Sequence, residues 1–245
     1  DASSRALRLL DGVLITCAAL FLLLPMGAIL VDGLPGLVKL PGSVVRATGV
    51  SLAVALASTA VMLALAIPMA AAVAVGRGRA AELSGLLGLA VSPLVIGTGL
   101  FIVIYPLADP ARAAMPVTAL VNAVMALPFA LRILVPAARD AVEQYGRLSL
   151  SLGISARTFT TRVLLPRMRP QIGFAAGLGA ALSMGDLGVI ALFADPERAT
   201  LPLQIYRLMG AYQMQAAAGG ALVLLVLSVS LFWLFDRGGR AHAEA

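Results

Sequence analysis

Long apolar runs without a single charge constrain this chain more than any motif in it. Such runs occupy Val13–Val31, Ala47–Gly76, Leu83–Ala108, Ala113–Leu131 and Leu208–Phe235, and Pro170–Ala194 is interrupted only by Asp186. Each is about 19 residues or longer, and about 20 helical residues cross a hydrocarbon core of roughly 30 Å. In lipid only helices and closed barrels satisfy their own backbone, and these runs show no period-2 alternation. The sequence therefore predicts an all-α membrane protein with six transmembrane helices. Composition agrees: 60% of the 245 residues are hydrophobic, 12% are charged, and the mean hydropathy is +0.98, outside the usual range of soluble domains.

Basic residues set the expected orientation. With the N-terminus in the cytoplasm, the inside segments hold Arg5, Arg8, Arg77, Arg79, Arg132, Arg139, Arg147, Arg157, Arg162, Arg167, Arg169, Arg237 and Arg240. The outside segments hold Lys39, Arg46, Arg112, Arg198 and Arg207. This bias places both termini and the central loop on the cytoplasmic side. Inside-facing arginines beside anionic lipid also account for the net charge of +6, so the charge implies no nucleic-acid partner.

Several chemistries are excluded by residue inventory. The lone cysteine, Cys17, lies in the first apolar run and is expected to be a small packing residue; it permits neither a disulfide within the chain nor a cysteine-based metal site. The single histidine, His242, sits in the polar tail, which leaves no histidine-based triad or histidine cluster. No GxxxxGK[ST] sequence occurs, so the chain is not expected to bind ATP through a phosphate loop of its own. Nucleophile–base pairs within the spans are also absent, so no enzyme is expected. The first residue is Asp1 rather than methionine, and Arg5 and Arg8 before the first apolar run suit the flank of a span better than a cleaved signal. The expectation is a segment of a longer protein.

The polar interval at about 138–170 is the longest between apolar runs and carries Arg139, Arg147, Arg157, Arg162, Arg167 and Arg169. Ala137–Leu152 has helix-forming composition without the hydrophobicity of a span. Gly153 suits the left-handed residue that ends a helix, and Ser155 suits the N-cap of the next. The second helix is expected over Ala156–Leu165, closed by Pro166. The pair is expected to lie at the inner membrane surface as a docking element, whereas an amphipathic loop resting on anionic headgroups would explain the arginines alone.

The segment RLSLSLGISARTFTTRVLLP resembles the cytoplasmic loop of the membrane subunits of ATP-binding-cassette (ABC) importers. That motif reads Glu-Ala-Ala, three residues, Gly, nine residues, Ile-x-Leu-Pro, and Gly153, Val163, Leu165 and Pro166 match it position by position. Arg147, Leu148 and Ser149 stand where the Glu-Ala-Ala element would be, which removes any ion pair from that glutamate. The resemblance implies a single type I ABC importer transmembrane domain (MetI-like) spanning 1–245. It implies that Arg147, Gly153, Ser155, Ala156, Arg157, Val163, Leu165 and Pro166 dock on a separate ATPase subunit that holds ATP and Mg, with no cofactor on this chain. Further partners implied are a periplasmic substrate-binding protein, reached near Tyr206, Arg207 and Tyr212, and a second permease half.

Within that family VNAVMALPFALRIL at Val121–Leu134, LSMGDLGVIALF at Leu182–Phe193 and TLPLQIYRLMGAYQMQ at Thr200–Gln215 look like the second half of the two-half permeases for thiamine and thiamine pyrophosphate. The location implied is a bacterial inner membrane. Relatives for ferric iron, polyamines or oxyanions share the loop and provide the alternative substrates. A secondary transporter would usually carry several intramembrane charges and inverted repeats, and neither is visible.

Asp186 is the one ionisable residue inside a span and hence a functional candidate. With Ser183 and Gly185 it is assigned to the substrate pathway. Gly185 and Gly188 weaken the helix around it, so a structural cap is the competing role. Gly173 and Gly177 form a GxxxG pair that lets two helices approach closely, expected at the contact between permease halves. Pro68, Pro93 and Pro128 lie within runs, where each removes a backbone donor.

Overall fold

A computed structural model describes residues 5–76, 78, 85, 88, 91–193 and 199–241, and every regular element among them is helical. Four helices are long and apolar enough to cross a membrane: α1 (Arg5–Leu37), α2 (Gly42–Ala74), α4 (Pro110–Ser151) and α10 (Met214–Arg240). Between α2 and α4, α3 (Pro93–Ile104) forms the second part of the predicted third span. Arg77, Arg79, Arg198 and His242 lie outside the described residues. The predicted fifth span divides into α7 (Arg169–Met184) and the short α8 (Gly188–Phe193).

The sixth apolar run also departs from expectation. Leu208 belongs to α9 (Leu201–Gly210), an amphipathic helix that buries Leu201, Pro202, Leu203 and Leu208, while Tyr206 stays exposed. The span begins only after the turn, at Met214. The backbone amide of Leu201 donates to the buried Ser51 Oγ at 2.7 Å, so a side chain on α2 satisfies the first turn of α9. Thr200, the N-cap residue itself, makes no capping bond.

Small side chains let these helices approach closely, since close packing replaces the hydrophobic effect between helices in lipid. The inner core joins Met62, Ala66 and Ala70 of α2 to Ala123, Ala126, Leu127, Ala130, Leu134, Ala138 and Ala141 of α4. Toward the N-terminal end of α4, Val117 and Val121 pack with Val189, Ile190 and Phe193 of α8. Pro68 and Pro128 sit inside unbroken helices. Pro93 instead opens α3 behind Ser92, where its missing N–H is one that no helix would bond.

Gly173 and Gly177 serve a different contact from the one expected. A Cβ at Gly173 would meet the Phe235 carbonyl oxygen at 2.6 Å, and one at Gly177 would meet the Phe232 carbonyl oxygen at 2.8 Å. The GxxxG pair thus packs α7 on α10 of its own chain, beside an edge-on contact of Phe174 with Phe232.

Helix α1 packs on α10. None of its most apolar window is buried, and toward its C-terminal end Gly33 and Gly36 meet Leu222 and Gly219 of α10. Cys17 is exposed on α1 rather than packed in a core.

Candidate functional site

The loop that follows α4 is built by local hydrogen bonding. Helix α4 is 42 residues long, about 63 Å at 1.5 Å per residue. Ala137–Leu152 is therefore not a separate surface helix: it continues the span out of the membrane. The helix ends where Gly153 adopts φ +64. The Gly153 amide donates to Leu150 O at 3.1 Å and the Ile154 amide to Ser149 O at 3.0 Å, the paired bonds of a Schellman cap. Nothing lies within 4 Å of a Cβ placed at Gly153, so the backbone angle alone calls for glycine there.

Ser155 caps the next element as expected: its Oγ accepts from the Thr158 amide at 3.2 Å. The element is shorter and less regular than the sequence suggests. Helix α5 (Ala156–Phe159) passes into a π turn (Thr160–Leu164) and then the helical turn α6 (Leu165–Arg167). Pro166 does not close the helix: it lies in α6, at the start of a turn where its missing amide is tolerated. The wider π register precedes it, a feature frequent at functional sites.

The motif residues divide between two faces. Arg147, Gly153, Ser155, Ala156 and Arg157 are exposed, whereas Val163, Leu165 and Pro166 are half-buried. Leu164, the unspecified position of the motif, is 2% exposed, and Met168 is 1% exposed. These two residues, with Phe159 beside them, root the loop in the inner core of α2 and α4. The sequence reading missed both, although their i, i+4 spacing among arginines is a one-sided apolar stripe. Arg167 also rests over the Tyr145 ring at 4.7 Å. Beside the loop a cleft of about 590 Å³ is lined by Glu143, Arg147, Leu150, Ile154 and Phe159.

Leu148, Leu150 and Leu152 are 56%, 79% and 65% exposed. Leu150 lies 40 residues beyond Pro110, about 60 Å along the helix, and a bilayer with its headgroups spans only about 40–45 Å. Helix α4 is thus longer than the bilayer is thick, and part of it projects beyond the headgroups.

The second site lies where α7 breaks. Met184 ends the helix and Gly185 follows at φ −85, an angle any residue adopts. Neither Gly185 nor Gly188 has an atom closer than 3.7 Å to an added Cβ. Asp186 Oδ1 accepts from the Gly188 amide at 3.3 Å, so the carboxylate caps α8. Its other oxygen, Oδ2, is buried without a hydrogen-bond partner. Across from it, Asn122 of α4 donates through Nδ2 to Ser183 Oγ at 3.0 Å. Both Asn122 and Ser183 are buried, and the Asn122 amide also faces the carboxylate. A cavity of about 440 Å³ is lined by Asp186, Asn122, Ser183, Gly185, Met125 and Phe129, among others. The sequence reading named Asp186, Ser183 and Gly185 and missed Asn122, a buried amide in an apolar stretch of α4 whose other polar side chain is Thr118.

No family model matches the chain. Curated relatives match nearly all of it. The thiamine transport system permease protein ThiP of Salmonella typhimurium is 34% identical over 248 residues, covering 97% of this chain and 46% of that protein. ThiP of Brucella suis is 35% identical over 97% of the chain, and ThiP of Escherichia coli 33% over 94%. The chain belongs to the ABC importer permease family. The chain spans just under half the length of those relatives. It is a multi-pass membrane protein. A sulfate transport system permease protein, CysW of Synechocystis, is 28% identical over 47% of the chain.

Proposed function

We propose that this permease forms half of the membrane pathway of an ATP-driven, binding-protein-dependent importer for thiamine and thiamine pyrophosphate. The substrate follows from similarity to thiamine permeases across 97% of the chain, against a sulfate permease matched over 47%. Ferric iron, polyamines and oxyanions are the competing substrates. The loop after α4 docks on an ATPase subunit that carries ATP and Mg, and the chain itself binds no cofactor. Arg147, Gly153, Ser155, Ala156, Arg157, Val163, Leu165 and Pro166 form or support that contact. The observation that carries the docking is the exposure of three leucines around the end of α4, Leu148 and Leu152 on one side and Leu150 on the other, since exposed apolar surface of this kind marks a partner contact. A binding protein meets the outer face near α9 and delivers substrate to a path past Ser183, Gly185 and Asp186. The other permease half completes that path, and both termini lie in the cytoplasm.

The test is a Leu150→Ser, Leu152→Ser double variant of the full permease. Burial of two leucines contributes roughly 3–6 kcal/mol at an interface, so ATPase co-purification and uptake of labelled thiamine should both fall sharply at equal membrane abundance. Normal association would refute the docking surface. A wild-type importer that accumulates sulfate, iron or polyamine and no thiamine would refute the substrate.

A further inference from the structure

The cavity at the α7 break holds one acidic group and, among the described residues that line it, no basic one. Asp186 is fixed there by its own cap to Gly188, which uses Oδ1 and leaves Oδ2 without a partner. Asp186 lies 17 residues from Arg169, about 25 Å up the helix and so within the outer half of the hydrocarbon core. A carboxylate at that depth is costly unless it is paired. The Asn122–Ser183 bond holds α4 and α7 together on one side of the cavity. On the same face of α4 as Asn122, Met125 and Phe129 continue the cavity lining, and Phe129, 39% exposed, contributes an aromatic ring. An acid with a free oxygen beside an aromatic face suits a cation whose charge is spread over a ring, because both the carboxylate and the π cloud attract it. At about 440 Å³, the space lies within the range of small-molecule sites.

We propose that this cavity is a binding station for a planar organic cation, with Asp186 Oδ2 against the positive nitrogen and Phe129 and Met125 against its ring. The proposal rests on the thiamine reading, since thiamine carries a permanently charged thiazolium ring. Asn122 acts as a positioning residue: it sets the spacing of α4 and α7 and keeps Ser183 turned away from the carboxylate. Phosphate groups of an esterified substrate extend away from Asp186, toward the other permease half.

The experiment uses the complete importer, with both permease halves and the ATPase, in lipid nanodiscs without binding protein. Equilibrium binding of labelled thiamine is compared with that of thiochrome, its uncharged planar oxidation product. The wild type should bind thiamine at least tenfold more tightly than thiochrome. Asp186→Asn keeps size and the capping oxygen, so it should weaken thiamine binding about tenfold or more while leaving thiochrome binding unchanged. Phe129→Leu should weaken thiamine binding severalfold and provides the decisive measurement if the Asp186 variant fails to assemble. Equal thiamine affinity in either variant, or equal affinity of the wild type for both compounds, would overturn the station. If that wild-type importer still accumulates thiamine, the transport reading survives the loss of the site.

Discussion

Two residues hold the same backbone conformation at unequal cost. Gly153 (φ +64) and Tyr212 (φ +58) both end helices with paired bonds, the latter through Tyr212 N to Met209 O and Gln213 N to Leu208 O. For a side-chain-bearing residue the left-handed region costs roughly 1–2 kcal/mol. Gly153→Val should therefore destabilise the loop by at least about 1 kcal/mol, while Gly153→Asn, which tolerates this region, should cost less. Hydrogen exchange at the Gly153 and Ile154 amides checks this: faster exchange is expected in the valine variant and near-native protection in the asparagine variant. Equal protection in both would show that the angle does not demand glycine. Tyr212→Gly should act in the opposite sense and slow exchange at Gln213. Gly153 was legible from sequence because only a few residues tolerate this angle, whereas Tyr212 gave no sign because its neighbours, not its own preference, impose the turn.

Helices were easier to place than their ends. Apolar runs mark α1, α2, α4 and α10 because length and hydrophobicity suffice to cross lipid. The extension of α4 beyond its apolar run is not the separate helix that the sequence suggests, since loss of hydrophobicity does not end hydrogen bonding along a helix. Pro166 misled similarly: a π turn absorbs the proline that sequence rules treat as a stop. The GxxxG pair shows the limit of motif reading, because small residues announce a close contact and not which helix supplies it. Gly177→Leu should force α7 from α10 against the Phe232 backbone, at a cost of roughly 1–3 kcal/mol. Thermal unfolding of the purified permease in detergent should shift to lower temperature. Gly99→Leu, where nothing lies within 4 Å, should leave the midpoint unchanged; equal behaviour of the two variants would dismiss the α7–α10 contact.

For the whole molecule, the arginine distribution demands opposite sides for Ser151 and Val38, both exposed. Single cysteines at these positions, in a Cys17→Ala background, should respond differently to an impermeant thiol reagent applied to intact spheroplasts. Reaction at Val38 alone is expected, and reaction at Ser151 alone would invert the topology. That map matters because α4 is one unbroken rod joining the two sites. Taking the buried Ala130 as a fulcrum, the loop end at Ser151 lies about 32 Å away and Asn122 about 12 Å away on the other arm. A lever of those proportions converts a 5 Å push at the cytoplasmic end, as an order-of-magnitude figure, into about 2 Å at Asn122. The Asn122–Ser183 bond is 3.0 Å long, and a hydrogen bond does not survive stretching by that amount. In a rigid tilt about such a pivot, the length of one helix would gear a coarse movement at its far end to the parting of a single polar contact near its middle.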